Sequence, residues 1–78
     1  MIFKQLFEPV SSTYTYLLGC EETGQAVLVD PVINAMDRDM QVLQELGLRL
    51  AYTLDTHIHA DHITSALELK KRTGSRIA

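Results

Sequence analysis

The sequence predicts an α/β fold, in the order strand, strand, strand, helix, strand, loop, helix. Three observations carry this. Residues 25–29 run Gln-Ala-Val-Leu-Val and stop at Asp30-Pro31. Met36, Met40, Leu43 and Leu46 then recur at spacings of four, three and three, and residues 48–54 return to apolar and β-branched sequence. A strand, a crossover helix and a second strand form a right-handed βαβ unit with a parallel pair. Such a pair is normally covered on both faces. Two helices in 78 residues are too few for that, so the chain reads as the opening portion of a larger α/β layer structure.

The elements follow in turn. Residues 2–7 carry apolar side chains at 2, 3, 6 and 7, a loose strand pattern. Residues 13–18 are rich in Thr, Tyr and Leu, and Gly19 is expected to close that strand. Glu21-Glu22-Thr23-Gly24 is a polar turn, and the first thirty residues read as a hairpin followed by a buried strand. The third strand shows no polar alternation, as expected of a buried one. Pro31 lacks a donor and biases Asp30 towards an extended backbone. Asn34 is expected to cap the helix that follows, with Asp37 and Asp39 in its first turns and Gly47 as its stop. Thr64 or Ser65 is expected to cap a second helix, which Gly74 ends, with Glu68 and Arg72 paired on its surface. Residues 77–78 begin one further strand.

Composition narrows the class. Hydrophobic residues are 46% and charged residues 22%, a globular balance rather than a disordered one. One cysteine, Cys20, excludes an intrachain disulfide scaffold and fits a reducing compartment. No apolar run approaches the ~20 residues of a membrane span, and no signal peptide precedes the first strand, so the expected location is cytoplasmic, with no membrane partner. The net charge of −3 argues against a nucleic-acid partner. Residues 70–78 nevertheless carry four cations, Lys70, Lys71, Arg72 and Arg76, which are read as a solvated helix end favoured by the helix dipole. Cys20 is read as an inert turn residue, because Glu21 and Glu22 disfavour its thiolate. The methionines of the helix are read as core packing.

The chemistry is concentrated in one string. All three histidines lie within six residues, Thr56-His57-Ile58-His59-Ala60-Asp61-His62, where a strand gives way to a helix. That edge, beyond the carboxyl ends of the strands, is where α/β proteins place their sites. His57 and His59 are two apart, so an extended backbone turns both imidazoles to one side. Asp61 and His62 follow after a bend. Imidazole and carboxylate suit zinc, iron or manganese, and no thiolate is involved. A solvated polar loop is the plain alternative. Asp30 stands at the same edge, where it serves either to support a histidine or as a turn residue.

The His-x-His-x-Asp-His string resembles the signature of the metallo-β-lactamase superfamily. The flanking segments Phe7-Glu8-Pro9-Val10-Ser11, Tyr16-Leu17-Leu18-Gly19, Asp30-Pro31-Val32, residues 45–50 and Ile63-Thr64 resemble the persulfide dioxygenases within it. Ala60 and Ile63-Thr64 set the chain apart from the hydroxyacylglutathione hydrolases, which share the histidines. Ser65 stands where the dioxygenases usually carry glycine.

The resemblance implies that residues 1–78 are the N-terminal portion of a metallo-β-lactamase-like αββα sandwich, a partial domain. It implies a mononuclear, non-haem Fe(II) enzyme that uses O2 to oxidise glutathione persulfide to sulfite and glutathione. In that reading His57 is a direct iron ligand, and the other histidine and the carboxylate of the set lie beyond Ala78. His59, Asp61 and His62 then orient water or the ligand histidine, whereas in the hydrolases they hold two metals, zinc included. The alternatives are such a thioester hydrolase, or a non-catalytic truncated chain.

Overall fold

The computed structural model describes residues 1–56 and 60–78, and the side chains of 1–56 and 65–78. Its strands are β1 (Ile2–Glu8), β2 (Thr13–Cys20), β3 (Gln25–Val29), β4 (Arg49–Leu54) and β5 (Arg76–Ile77). A 3-10 turn (Ile33–Ala35) leads into α1 (Met36–Leu46), and α2 (Ala60–Thr73) joins β4 to β5. The strands lie side by side in chain order. The pairs β1/β2 and β2/β3 are antiparallel, and β3/β4 and β4/β5 are parallel. The expected βαβ unit is therefore present, and α2 repeats it towards β5.

Because the crossovers advance in one direction, right-handedness puts both helices on one face of the sheet. Arg72 of α2 reaches Asp37 of α1 at 3.1 Å, as two neighbouring helices allow, and also holds Glu68 at 3.3 Å. Met36 and Leu43 of α1 and Leu69 of α2 pack with Leu17, Ala26, Leu28 and Leu50 of the sheet, each buried. Met40 and Leu46 pack against that core from its margin, so the helical stripe read from the sequence faces the sheet. Gly47 takes a left-handed φ of 68°; its N–H donates to the Gln44 carbonyl at 3.1 Å and that of Leu48 to Leu43 at 2.9 Å. This pattern closes a helix and needs the freedom of glycine.

The opposite face is open. Phe3, Phe7, Tyr14, Tyr52 and Leu54 point there and are exposed, with Phe3 stacked on Tyr16 and Phe7 against Tyr14. In β3 only Ala26 and Leu28 are buried, while Val27 and Val29 are half-buried. The strand is apolar on both sides but covered on one, as the shortage of helices requires.

Four local expectations are corrected. Gly19 does not end β2; it pairs with Ile2 and Ala26 inside the strand, and a Cβ there would meet Leu48 Cδ1 at 2.6 Å. Cys20 is consequently the last residue of β2 rather than part of the turn. Its thiol is held below the ordinary value by the Thr23 hydroxyl, with the Thr23 and Glu22 amides adding to it, against a smaller opposing effect of burial. Asn34 makes no cap: the N-cap is Ala35, without a side-chain bond, and 3-10 bonds from Ala35 to Val32 and from Met36 to Ile33 occupy early amides instead. The second helix starts at Ala60, not at Thr64 or Ser65. Ser65 and Ala66 are fully buried within it, where small side chains allow close packing.

Asp37 and Asp39 do occupy the first turn of α1, but with different fates. Asp37 is exposed, whereas Asp39 has no exposed surface and its Oδ2 has no hydrogen-bond partner among the described residues. Arg38 donates from Nε and Nη2 to Asp39 Oδ1 at 3.2 and 2.9 Å, and from Nη1 to the Phe7 carbonyl at 2.6 Å. Burial pushes the Asp39 carboxyl up, against the smaller opposing pull of Arg38. An acid that holds its proton more tightly folded than unfolded stabilises the fold fully below the unfolded value. That contribution is lost as pH rises through the folded value. The Asp39→Asn variant is therefore expected to lack this decline. Urea midpoints from pH 3 to 7 test it, and parallel curves for variant and wild type would contradict it. Glu8 works in the opposite sense. The Ser11 hydroxyl and amide, with Val10, donate to its carboxylate at 2.7–3.0 Å and hold it below the ordinary range, so its contribution is lost on acidification.

Candidate metal centre

Strands β3 and β4 are parallel and end level, with Val29 opposite Leu54. The Asp30 N–H extends the ladder by one bond, donating to the Leu54 carbonyl at 2.7 Å. The chains then part: Pro31 turns towards α1, and Asp55-Thr56 leads to the histidine string. A pair of parallel strands diverging at their carboxyl ends leaves a crevice there.

Asp30 organises this edge. Its φ is 56°, in the left-handed region, and not extended as Pro31 suggested. Aspartate tolerates that region better than most residues, but the conformation still costs on the order of 1 kcal/mol. Hydrogen bonds offset the cost. Asp30 Oδ1 accepts the Thr56 N–H at 2.7 Å, and Oδ2 accepts the Thr56 hydroxyl at 2.5 Å. The Asp30 carbonyl accepts the Thr15 hydroxyl at 2.8 Å. Thr15 is fully buried and Asp30 is 8% exposed, so the Thr15 bond forms away from water, while the two bonds to the exposed Thr56 are partly buried. One residue therefore ties β2, β3 and the segment after β4 together, and it grips the residue directly before His57.

Of the motif itself, His57 and His59 lie outside the described residues, as do the side chains of Asp61 and His62. The backbone of Asp61 and His62 belongs to the first turn of α2, one helical step apart, rather than to a loop ahead of the helix. The expected convergence of the four groups lies outside the described residues. Asp30 binds Thr56, and the expected support of a histidine by Asp30 lies outside the described residues. Sequence reasoning missed Thr15 and Thr56. The signals available were a Thr immediately before the string and an Asp-Pro at a strand end.

Thr15→Val keeps the shape of the side chain and removes one buried donor. It is expected to lower stability by about 1 kcal/mol. A shift of the urea midpoint with an unchanged slope checks it, and an unshifted midpoint would contradict it.

The family whose description is metallo-beta-lactamase superfamily matches residues 9–78. The chain belongs to that superfamily. Its five strands and two helices correspond to the N-terminal part of the fold. Over 66 residues, 85% of this chain, it is 56% identical to the mitochondrial persulfide dioxygenase ETHE1 of Homo sapiens, covering 26% of that protein. The crystal structure of ETHE1 from Myxococcus xanthus superposes with a TM-score of 0.91 at 56% identity, over 99% of this chain and 34% of that one. A hydroxyacylglutathione hydrolase from Methylococcus capsulatus is 35% identical over 68 residues, 87% of this chain and 26% of its own length. The chain thus spans about a quarter of the length of these curated relatives. Membership of the superfamily implies metal binding. Among the described residues no helix is long and apolar enough to cross a membrane.

Proposed function

We propose that residues 1–78 form the N-terminal part of a persulfide dioxygenase. The observation that carries this reading is the 56% identity to the Myxococcus xanthus structure across 99% of the chain, motif included, against 35% for the hydrolase. In this reading His57 is a direct ligand of one Fe(II). His59, Asp61 and His62 orient water and the ligand histidine from around it. The donors fit such an ion, since imidazole and carboxylate suit iron, and the buried Asp30 carboxylate steadies the residue that leads into them. Iron, when bound, supplies the oxygen chemistry.

This chain's own contribution is positional. Asp30 fixes the Thr56 amide and hydroxyl, which sets where the backbone leaves the sheet towards His57. Thr15 holds Asp30 in turn. The substrate in this reading is glutathione persulfide. Its outer sulfur takes both atoms of O2 and one water oxygen to become sulfite, and glutathione leaves as the thiol.

A chimera tests the reading. Residues 1–78 are placed in the human relative in exchange for the matching part. The product is expected to consume oxygen with glutathione persulfide and to leave hydroxyacylglutathione thioesters intact. Thioester hydrolysis without oxygen uptake would overturn it in favour of the hydrolase. The 78-residue chain by itself, with one ligand of the proposed three, is expected to show no turnover.

A further inference from the structure

We propose that Arg38 is a positioning residue: seated on the buried Asp39 carboxylate, it holds the β1–β2 turn in place as the rim against which the tripeptide arm of the substrate lies. The inference rests on the reading above, in which that substrate is glutathione persulfide.

The turn stands at the edge of the metal centre. Tyr16, Val29 and Leu54 are aligned across β2, β3 and β4. From that level β2 runs back to its first residue, Thr13, and the turn occupies residues 9–12. From the same level the chain after β4 runs on through Asp55 to Thr56, towards His57. Both segments therefore leave the sheet at one edge, and β2 lies two strands from β4. At about 4.8 Å per strand, the turn is roughly 10 Å to the side. An extended tripeptide spans roughly 10 Å, at about 3.5 Å per residue. Val10 and Ser12 are exposed, so the turn offers an apolar side chain and a hydroxyl.

Two ties hold the turn, one from within and one from α1. Within it, the Glu8 carboxylate accepts the Val10 and Ser11 amides and the Ser11 hydroxyl. From α1, Arg38 Nη1 donates to the Phe7 carbonyl at 2.6 Å. Its Nε and Nη2 donate to Asp39 Oδ1. A guanidinium is a rigid planar fork, so two bonds to one partner aim the third. Asp39 is fully buried, and its Oδ2 has no partner among the described residues. A buried ion pair of this kind adds little net stability, because desolvation offsets the attraction. Its effect is geometric: it fixes where α1 grips the end of β1. Ser12 keeps a left-handed φ of 55° in the turn so held.

Steady-state kinetics of the chimera with the human relative test the proposal, with oxygen uptake followed against glutathione persulfide. Arg38→Met is expected to raise KM at least fivefold and to leave kcat within twofold, with iron content unchanged. Arg38→Lys keeps the charge without the fork and is expected to fall between; it decides the matter where the methionine variant does not fold. Arg72→Met breaks the ion pairs to Asp37 and Glu68, away from the turn, and is expected to leave KM unchanged. A purely structural loss lowers the amount of active protein, and so the apparent kcat, but not KM. Deuterium exchange over residues 8–13 gives a readout independent of turnover. It is expected to be at least tenfold faster in Arg38→Met and unchanged in Arg72→Met. An unchanged KM in the Arg38 variants, a fall confined to kcat, or unchanged exchange at the turn would each overturn the proposal. A chimera that hydrolyses hydroxyacylglutathione instead of taking up oxygen overturns the dioxygenase reading alone. KM for that thioester, which carries the same tripeptide, then decides the role of Arg38.

Discussion

Asp30→Ala is expected to cost the fold about 3 kcal/mol, the scale of losing two hydrogen bonds to a buried charged group. A domain of this length has a total stability of roughly 4–12 kcal/mol, so the loss is a large share of it. Three effects combine. The Thr56 amide and hydroxyl lose their acceptors. Alanine is strained at a φ of 56°. Pro31 follows directly and leaves the backbone little room to relax. Asp30→Asn separates these contributions. Asparagine tolerates the left-handed region and keeps one acceptor for the Thr56 amide, so about half the loss is expected. Urea midpoints of the three proteins check the order wild type, Asn, Ala. An alanine variant as stable as the wild type would show that Asp30 does not hold the edge. In the chimera, the alanine variant is also expected to retain less metal, because the residue before His57 is no longer fixed.

The elements that the sequence disclosed were those marked by strong local chemistry. The helical stripe Met36, Met40, Leu43 and Leu46, the glycine stop at Gly47 and the uninterrupted β3 are dictated by burial and backbone freedom within a few residues. The errors arose where a distant contact outweighed a local preference. Pro31 favours an extended Asp30, but Thr15 and Thr56, fifteen residues before and twenty-six after, hold it in the left-handed region. Gly19 resembles a strand end, yet its missing side chain makes room for Leu48. Thr64 and Ser65 have the chemistry of helix caps, yet Ser65 is needed as a small buried residue inside α2. The candidate site divides in the same way. Its donors are legible as a string because their spacing is local. Asp30 was visible as a residue at the right edge, but its grip on Thr56 depends on the parallel register of β3 and β4.

The central claim is that this chain brings one direct metal ligand, His57, and that the neighbouring histidines orient rather than bind. Metal content per chain, measured on the chimera with the human relative, tests it most directly. One iron is expected in the wild-type chimera. His57→Ala is expected to remove both iron and oxygen uptake, because a set of three ligands does not fix the metal with two. His62→Ala is expected to keep most of the iron, since loss of a group that only orients a ligand costs about 10–100-fold in affinity or activity. Two metals in the wild-type chimera, falling to one in His62→Ala, would contradict the account and place His62 among the ligands.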